Sequence, residues 1–197
     1  MDPMHYPFVA IADERIPKSS DPVYQHMLDT YVSETNKVAS VWREFRDDDL
    51  GYRPHPRSTS VGDIFKHQLL SERRFFGEFI GTEEPAPADV MPDVLTVASA
   101  IDRLAELAVA RSAEIAAKPA EWWLVRMPFF EVERERIWIF WRRVLHTAHH
   151  RTQLTGYLRL LNRPVPPTYG PTADVKWDGA DPTNSVSAAG RKKGSSE

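Results

Sequence analysis

Cysteine is absent from all 197 residues. That excludes disulfides, thiolate metal sites, iron–sulfur ligation and a cysteine nucleophile together, and it suits a reducing cytosol. Long apolar runs are missing too. No stretch approaches the roughly 20 apolar residues that span a bilayer, and the first 20 residues lack the positive-then-apolar order of a secretory signal. Positive charge is not in excess: the formal net charge is -3. The basic runs, Arg73-Arg74, Arg142-Arg143 and Arg191-Lys192-Lys193, are short, and nearby acids balance them or they lie in the tail. Phosphate binding needs a clustered positive surface, so nucleic acid is excluded as a partner and the runs read as solvated helix faces. There is no Gly-rich phosphate loop, no Gly-x-Ser-x-Gly elbow and no dinucleotide fingerprint. The expectation is a soluble cytoplasmic protein that binds neither nucleic acid nor membrane.

What is present is helical pattern. With 42% hydrophobic residues, six Trp and nine Phe, the chain can bury a full core in one domain. A first helix is expected after Ser19-Ser20-Asp21-Pro22, where an acidic cap and a first-turn proline both favour initiation. Val23, Met27, Thr30, Tyr31, Val38, Val41, Trp42 and Phe45 then recur at steps of three and four. Pro54 and Pro56 interrupt the chain before a second helix opens at Ser60, with Asp63 three residues after the capping hydroxyl, and runs to Gly81. A third helix spans roughly 94–117. Residues 122–130, interrupted by Pro128, read as an extended connection, and the longest helix runs from about 132 to 162.

These patterns, with no strand alternation, predict an all-α four-helix bundle with long connections. Its divisions are an N-terminal extension (1–20), the bundle (21–172) and a polar C-terminal tail (173–197). The tail is rich in Gly, Ser, Asp and Ala and is expected to be disordered.

The last helix carries His146-Thr147-Ala148-His149-His150-Arg151-Thr152-Gln153. Residues four apart on a helix lie about 40° apart around its axis, so His146 and His150 point the same way. Leu154, Tyr157, Leu158 and Leu161 extend that line, which places both imidazoles on the stripe facing the interior and His149 to one side. Such a pair is often a hydrogen-bonded core feature, and alone it does not establish a metal site. His67 on the second helix, on or near the core-facing side, supplies a third ring. Three inward histidines from two helices match how bundles build metal sites. Imidazoles in a Cys-free chain suit Zn, Ni or Fe(II) rather than Mg or Ca.

Arg53-Pro54-His55-Pro56, followed by Ser60-Val61-Gly62-Asp63-Ile64-Phe65-Lys66-His67, resembles the DinB-like (DinB/YfiT) superfamily. So do the run from His146 to Leu154, continuing into Tyr157-Leu158-Arg159, and the segment Val165-Pro166-Pro167-Thr168-Tyr169-Gly170. The likeness covers about residues 20–172. It departs from the family pattern at Thr152, which stands where the family usually has Gly. The resemblance implies a four-helix bundle with a three-histidine divalent metal site at His67, His146 and His150. It also implies a homodimer, and a transferase or isomerase that uses a low-molecular-weight thiol such as bacillithiol or mycothiol with a small-molecule substrate. With no Cys in the chain, the sulfur must come from outside. Hydrolysis with water as nucleophile and a non-catalytic stress protein are the competing readings.

Several neighbours of the histidines stay open at this level. Either Arg151 or Gln153 orients a ligand, or Arg151 makes an ion pair and Gln153 a helix hydrogen bond. Glu72 and Glu78 are carboxylate partners or members of a charged outer face. Phe75, Trp138, Trp141 and Tyr157 belong more naturally to the core than to a substrate box. Residues 137–141 supply either a dimer interface or internal core.

Overall fold

A computed structural model describes residues 9–170 and 172–175. Four long helices form a bundle, as the periodicity predicts. They are α1 (Gln25–Arg43), α2 (Val61–Arg74), α4 (Val97–Ala116) and α6 (Arg136–Leu160), with two short helices, α3 (Pro87–Val90) and α5 (Ala120–Leu124), between them. Helix α1 packs on α4 and α6, and α6 packs on α2. No helix among the described residues is long and apolar enough to cross a membrane.

The initiation signals act as expected. Asp21 Oδ1 accepts the amide of Val23 at 2.9 Å, and Ser60 Oγ accepts that of Asp63 at 3.2 Å. Each satisfies a helix-start donor that would otherwise lack a partner. Helix α4 starts at Val97, a few residues later than expected, and Thr96 caps it, its Oγ1 accepting the amide of Ser99 at 3.0 Å. Beyond Arg74 the second helix widens into a π-helical turn (Phe75–Ile80) that buries Phe75, Phe76, Phe79 and Ile80. It stops at Gly81, whose φ of 86° is the left-handed geometry that glycine adopts without strain.

The expected extended connection over 122–130 holds only in part: residues 122–124 belong to α5, while 126–129 are extended. Residues 126–135 form a β-hairpin: β1 (Arg126–Phe129) pairs antiparallel with β2 (Val132–Glu135), with Phe129 opposite Val132. Helix α6 therefore starts at Arg136 instead of near residue 132. Pro128 lies within β1, and both strands of an isolated ribbon are edges, where proline is tolerated. The tip is unusual, because Phe130 holds a φ of 54°. For a bulky residue that geometry costs on the order of 1–3 kcal/mol.

The core has two parts. One centres on Tyr31, Phe76, Trp123 and Phe140, the other on Trp42, Phe65, Leu69, Leu154 and Leu158. Trp42 stacks on Phe65 with ring centroids 4.0 Å apart. Ile139 and Phe140 are fully buried, so this part of the 137–141 run is internal core, while Trp138 stays 42% exposed.

The chain ends described here are held to the bundle. Ile11 is buried and exchanges two hydrogen bonds with Asn36. Asp174 accepts both terminal nitrogens of Arg159. The tail expected to be disordered lies outside the described residues from 176 onward.

Candidate metal centre

His67 projects from α2, and His146 and His150 from α6. The three rings meet: centroids are 5.3 Å apart for His67 and His146, 4.7 Å for His67 and His150, and 4.6 Å for His146 and His150. One nitrogen from each lies within 4.8 Å of the others. His149, as expected, is exposed to one side and outside this group.

The depth of the site corrects the sequence reading. His67 is exposed, and His146 and His150 are only half-buried. The buried stripe of α6 runs instead through Phe140, Arg143, Thr147, Arg151, Leu154 and Leu158, one residue round from the histidines. On α2 the buried positions near His67 are Ile64, Phe65, Gln68, Leu69 and Glu72. One residue is about 100° of rotation, which carries the imidazoles from the interior to the bundle surface.

The charged side chains Arg143, Arg151 and Glu72 occupy core positions because each has a buried ion-pair partner. Arg151 donates to Glu34 at 2.6 Å. Glu34 also takes Lys37 at 2.9 Å and the hydroxyl of Tyr169. Glu72 accepts Tyr31 at 2.5 Å and lies 3.4 Å from Arg143 and 3.6 Å from Arg111. Arg111 in turn holds Glu84 through two bonds of 2.7 Å. Glu72 thus stands behind the imidazoles, acting through Arg143. Glu78 is an outer-face acid shared by Arg73 and Arg74. Arg151 makes an ion pair, as one of its two readings had it.

Gln153 takes the orienting role. Its Oε1 lies 3.1 Å from His150 Nδ1, and its Nε2 donates to Tyr157 Oη at 3.1 Å. Tyr157 donates onward to the carbonyl of Thr59 at 3.1 Å. This chain sets the amide so that its oxygen faces the ring. His150 then carries its proton on Nδ1 and turns its Nε2 lone pair toward His146.

Burial and positive neighbours keep the three rings uncharged at neutral pH. His146 is pushed down to about 3 by burial first, then by Arg143 and the other two histidines. His67 is lowered by partial desolvation and then by Arg143. His150 is lowered chiefly by desolvation, against the hydrogen bond it donates to Gln153.

Uncharged nitrogens converging from two helices fit a divalent transition ion, which binds imidazole only as the free base. His146 Nε2 and His150 Nε2 are 3.2 Å apart, close to the separation of two ligands on one tetrahedral ion with bonds of about 2.0–2.1 Å. One contact opposes the fit. Arg143 Nη1 lies 2.6 Å from His146 Nδ1, and a guanidinium only donates, so this contact leaves the ring proton on Nε2. Binding through Nε2 requires that proton to move to Nδ1 and Arg143 to turn away. The carbonyl of Gln68 at 3.0 Å and Glu72 are in place to hold the displaced guanidinium.

The chain's relatives agree with this architecture. The model of the DinB family matches residues 19–179. The chain belongs to the DinB family. Its fold resembles the crystal structure of a DinB-like protein from Bacillus cereus ATCC 10987, with 18% identity, a TM-score of 0.62, and 71% of this chain and 93% of that one covered. A DinB-like protein from Bacillus subtilis is similar at 17% identity and a TM-score of 0.58, covering 70% and 92% of the two chains. No curated protein matches significantly. These likenesses establish the fold of this DinB-family chain.

Sequence reasoning missed Arg143, the guanidinium that links the buried Glu72 to His146, and it gave no site role to Arg74, Phe130 and Arg142, which border a cleft beside the imidazoles. Two of these were signalled. Arg142 precedes His146 by four residues, and Arg74 follows His67 by seven, spacings that keep side chains on one helix face.

Proposed function

We propose that this DinB-family chain is a metal-dependent transferase that moves a small electrophilic group onto the sulfur of a low-molecular-weight thiol. His67, His146 and His150 hold one divalent ion, Zn, Ni or Fe(II). The observation that carries this reading is the convergence of three uncharged imidazoles at the bundle surface, where outside molecules reach them. Three protein ligands leave a position for an exogenous one, the pattern of a reactive site.

A bound ion supplies Lewis-acid activation, lowering the pKa of a thiol or water beside it. The protein's own groups prepare the site. Gln153 fixes the His150 tautomer, burial and Arg143 keep the rings deprotonated, and Glu72 secures Arg143. As the sulfur–carbon bond forms, the bond from carbon to the leaving group breaks. The leaving group departs with that electron pair and takes up the proton lost by the thiol.

Water as the nucleophile is less favoured, because the two candidate acids are engaged. Glu72 is buried among Tyr31, Arg111 and Arg143, and Glu78 pairs with Arg73 and Arg74. Operation in the cytoplasm as a homodimer is part of the proposal, with Trp138 and Leu145 as exposed apolar surface on α6.

Elemental analysis of untagged protein, compared with His146→Ala, is the first test. Near-stoichiometric metal that disappears in the variant is expected, and an ion-free wild type overturns the site. If loaded protein consumes no electrophile with bacillithiol, mycothiol or another small thiol, the transferase reading falls. A large drop in melting temperature on chelation would point instead to a structural ion, since a reactive site mainly loses activity.

A further inference from the structure

A cleft of about 430 Å³ opens beside the imidazoles. Besides His67 and His146, its walls are Leu70, Ser71, Arg74, Phe75, Phe130 and Arg142. We propose that this cleft binds a small molecule carrying a carboxylate on an apolar, ring-sized body, with Arg142 and Arg74 taking the carboxylate and Phe75 and Phe130 the body. What happens to that molecule rests on the transferase reading above; its binding does not.

Two helix faces build the cleft. On α2, Leu70 and Ser71 stand three and four residues beyond His67, and Arg74 four and three beyond them; on α6, His146 stands four beyond Arg142. Each face therefore presents an arginine to the space that the histidines border. The volume lies in the range of small-molecule sites, which are mostly apolar with a few charged groups that set orientation.

The charges are unequal in a telling way. Arg73 and Arg74 share Glu78, and Arg143 faces Glu72. Arg142 has no ion-pair partner among the described residues. Its side chain lines the cleft one turn before His146 on α6. An uncompensated guanidinium at the lip of a cleft attracts anions, and its planar fork matches a carboxylate.

The apolar wall shows a second signature. Phe130 is 64% exposed, yet it occupies a positive-φ hairpin position that glycine takes without strain. Its ring lies 5.1 Å from Phe79, and the Arg74 guanidinium stacks 5.6 Å above it. A strained, exposed aromatic beside a cleft gains little as core packing. As the wall of a ligand site its position has a reason.

The carboxylate has two sources, the thiol or the electrophilic substrate, and the test separates them. Binding of 3-phenylpropionate and of its neutral analogue 3-phenylpropanamide is measured by calorimetry on the full chain, both Zn-loaded and EDTA-treated. The acid is expected to bind at least about tenfold more tightly than the amide, the scale of a charge-assisted hydrogen bond. Arg142→Gln, with unchanged circular dichroism, should bring the two within about threefold. Phe130→Gly should weaken both alike.

Equal binding of acid and amide by the wild type overturns the proposal. So does a preference that survives Arg142→Gln and vanishes with EDTA, because the carboxylate would then sit on the ion. Competition between 4-mercaptobenzoate and 3-phenylpropionate assigns the carboxylate to the thiol, and simultaneous binding assigns it to the second substrate; both outcomes support the cleft. An acid preference that persists in protein unable to hold metal keeps the cleft while the transferase reading fails.

Discussion

Acidification of the metal-free protein tests the electrostatics of the site directly. The folded His146 binds its proton far more weakly than an unfolded histidine, with a folded value of about 3 against an unfolded value of 6.5. The sign follows from linkage. A base whose pKa is depressed on folding keeps its full contribution to stability above the unfolded pKa, and loses it as pH falls from there toward the folded value, because the unfolded chain takes up the proton first.

At pH 5 the unfolded ring is almost fully protonated and the folded one almost fully neutral. The 1.5-unit gap from 6.5 is then worth about 2 kcal/mol at 1.36 kcal/mol per unit. His146 is only half-buried, so solvent screening reduces this to about 1–2 kcal/mol. For a chain of this size that is roughly 2–8 °C in melting temperature.

The assay is urea denaturation of EDTA-treated wild type and His146→Asn at pH 7.5 and 5.0. Asparagine retains an acceptor for Arg143 without titrating. The wild type should lose about 1–2 kcal/mol more than the variant across that interval. Losses that agree within about 0.5 kcal/mol, inside the error of the extrapolation, would refute the claim that the ring is held neutral.

Two further outcomes follow from neighbouring contacts. Gln153→Ala frees His150 Nδ1 and should lower Co(II) affinity about 10- to 100-fold in optical titration, the usual scale for the partner of a metal ligand, while the metal-free melting temperature changes little. Arg151→Met leaves Glu34 buried with Lys37 as its one ion-pair partner among the described residues. Removing one member of a buried pair costs about 3–5 kcal/mol, so the melting temperature should fall by on the order of 10 °C; a fall under about 2 °C would show that the pair is not buried in solution.

The sequence disclosed the helices and the mutual alignment of the ligands more readily than the rotation of the helices that carry them. Val38, Val41 and Trp42 on α1, and Ile64, Phe65 and Leu69 on α2, repeat with a helical period and are buried. Spacing of four places His146 beside His150 however α6 is turned, so their meeting was legible. Rotation was not, because the apolar pattern is a poor guide where charges hold the core. Arg143, Arg151, Gln68 and Glu72 all occupy buried positions. A reading that sends charge outward turns α6 by one residue and sinks the histidines inside. The hairpin was hidden for a related reason: Glu131, Glu133 and Glu135, alternating with Val132, Arg134 and Arg136, look like a charged helix start until their pairing with Arg126–Phe129 is seen.

The buried charges that misled the reading are the ones that set the site. Apolar residues in place of both members of each pair, Arg151 with Glu34 and Arg143 with Glu72, would serve the core at least as well, since replacing whole buried ion pairs by apolar residues is often neutral or stabilising. An apolar stripe, however, packs acceptably over a range of rotations, whereas an ion pair holds one. Arg151 ties α6 to Glu34 on α1, and Arg143 ties it to Glu72 and the Gln68 carbonyl on α2. Two such ties, eight residues apart along α6, fix the turn of that helix against both neighbours. His146 and His150 lie between and beside them, and are thereby held on the face that meets His67. On this hypothesis the polar core gives the histidines a defined angle more than it stabilises the bundle, and the depth of the site, the neutrality of its rings and its opening onto the cleft all follow from that angle.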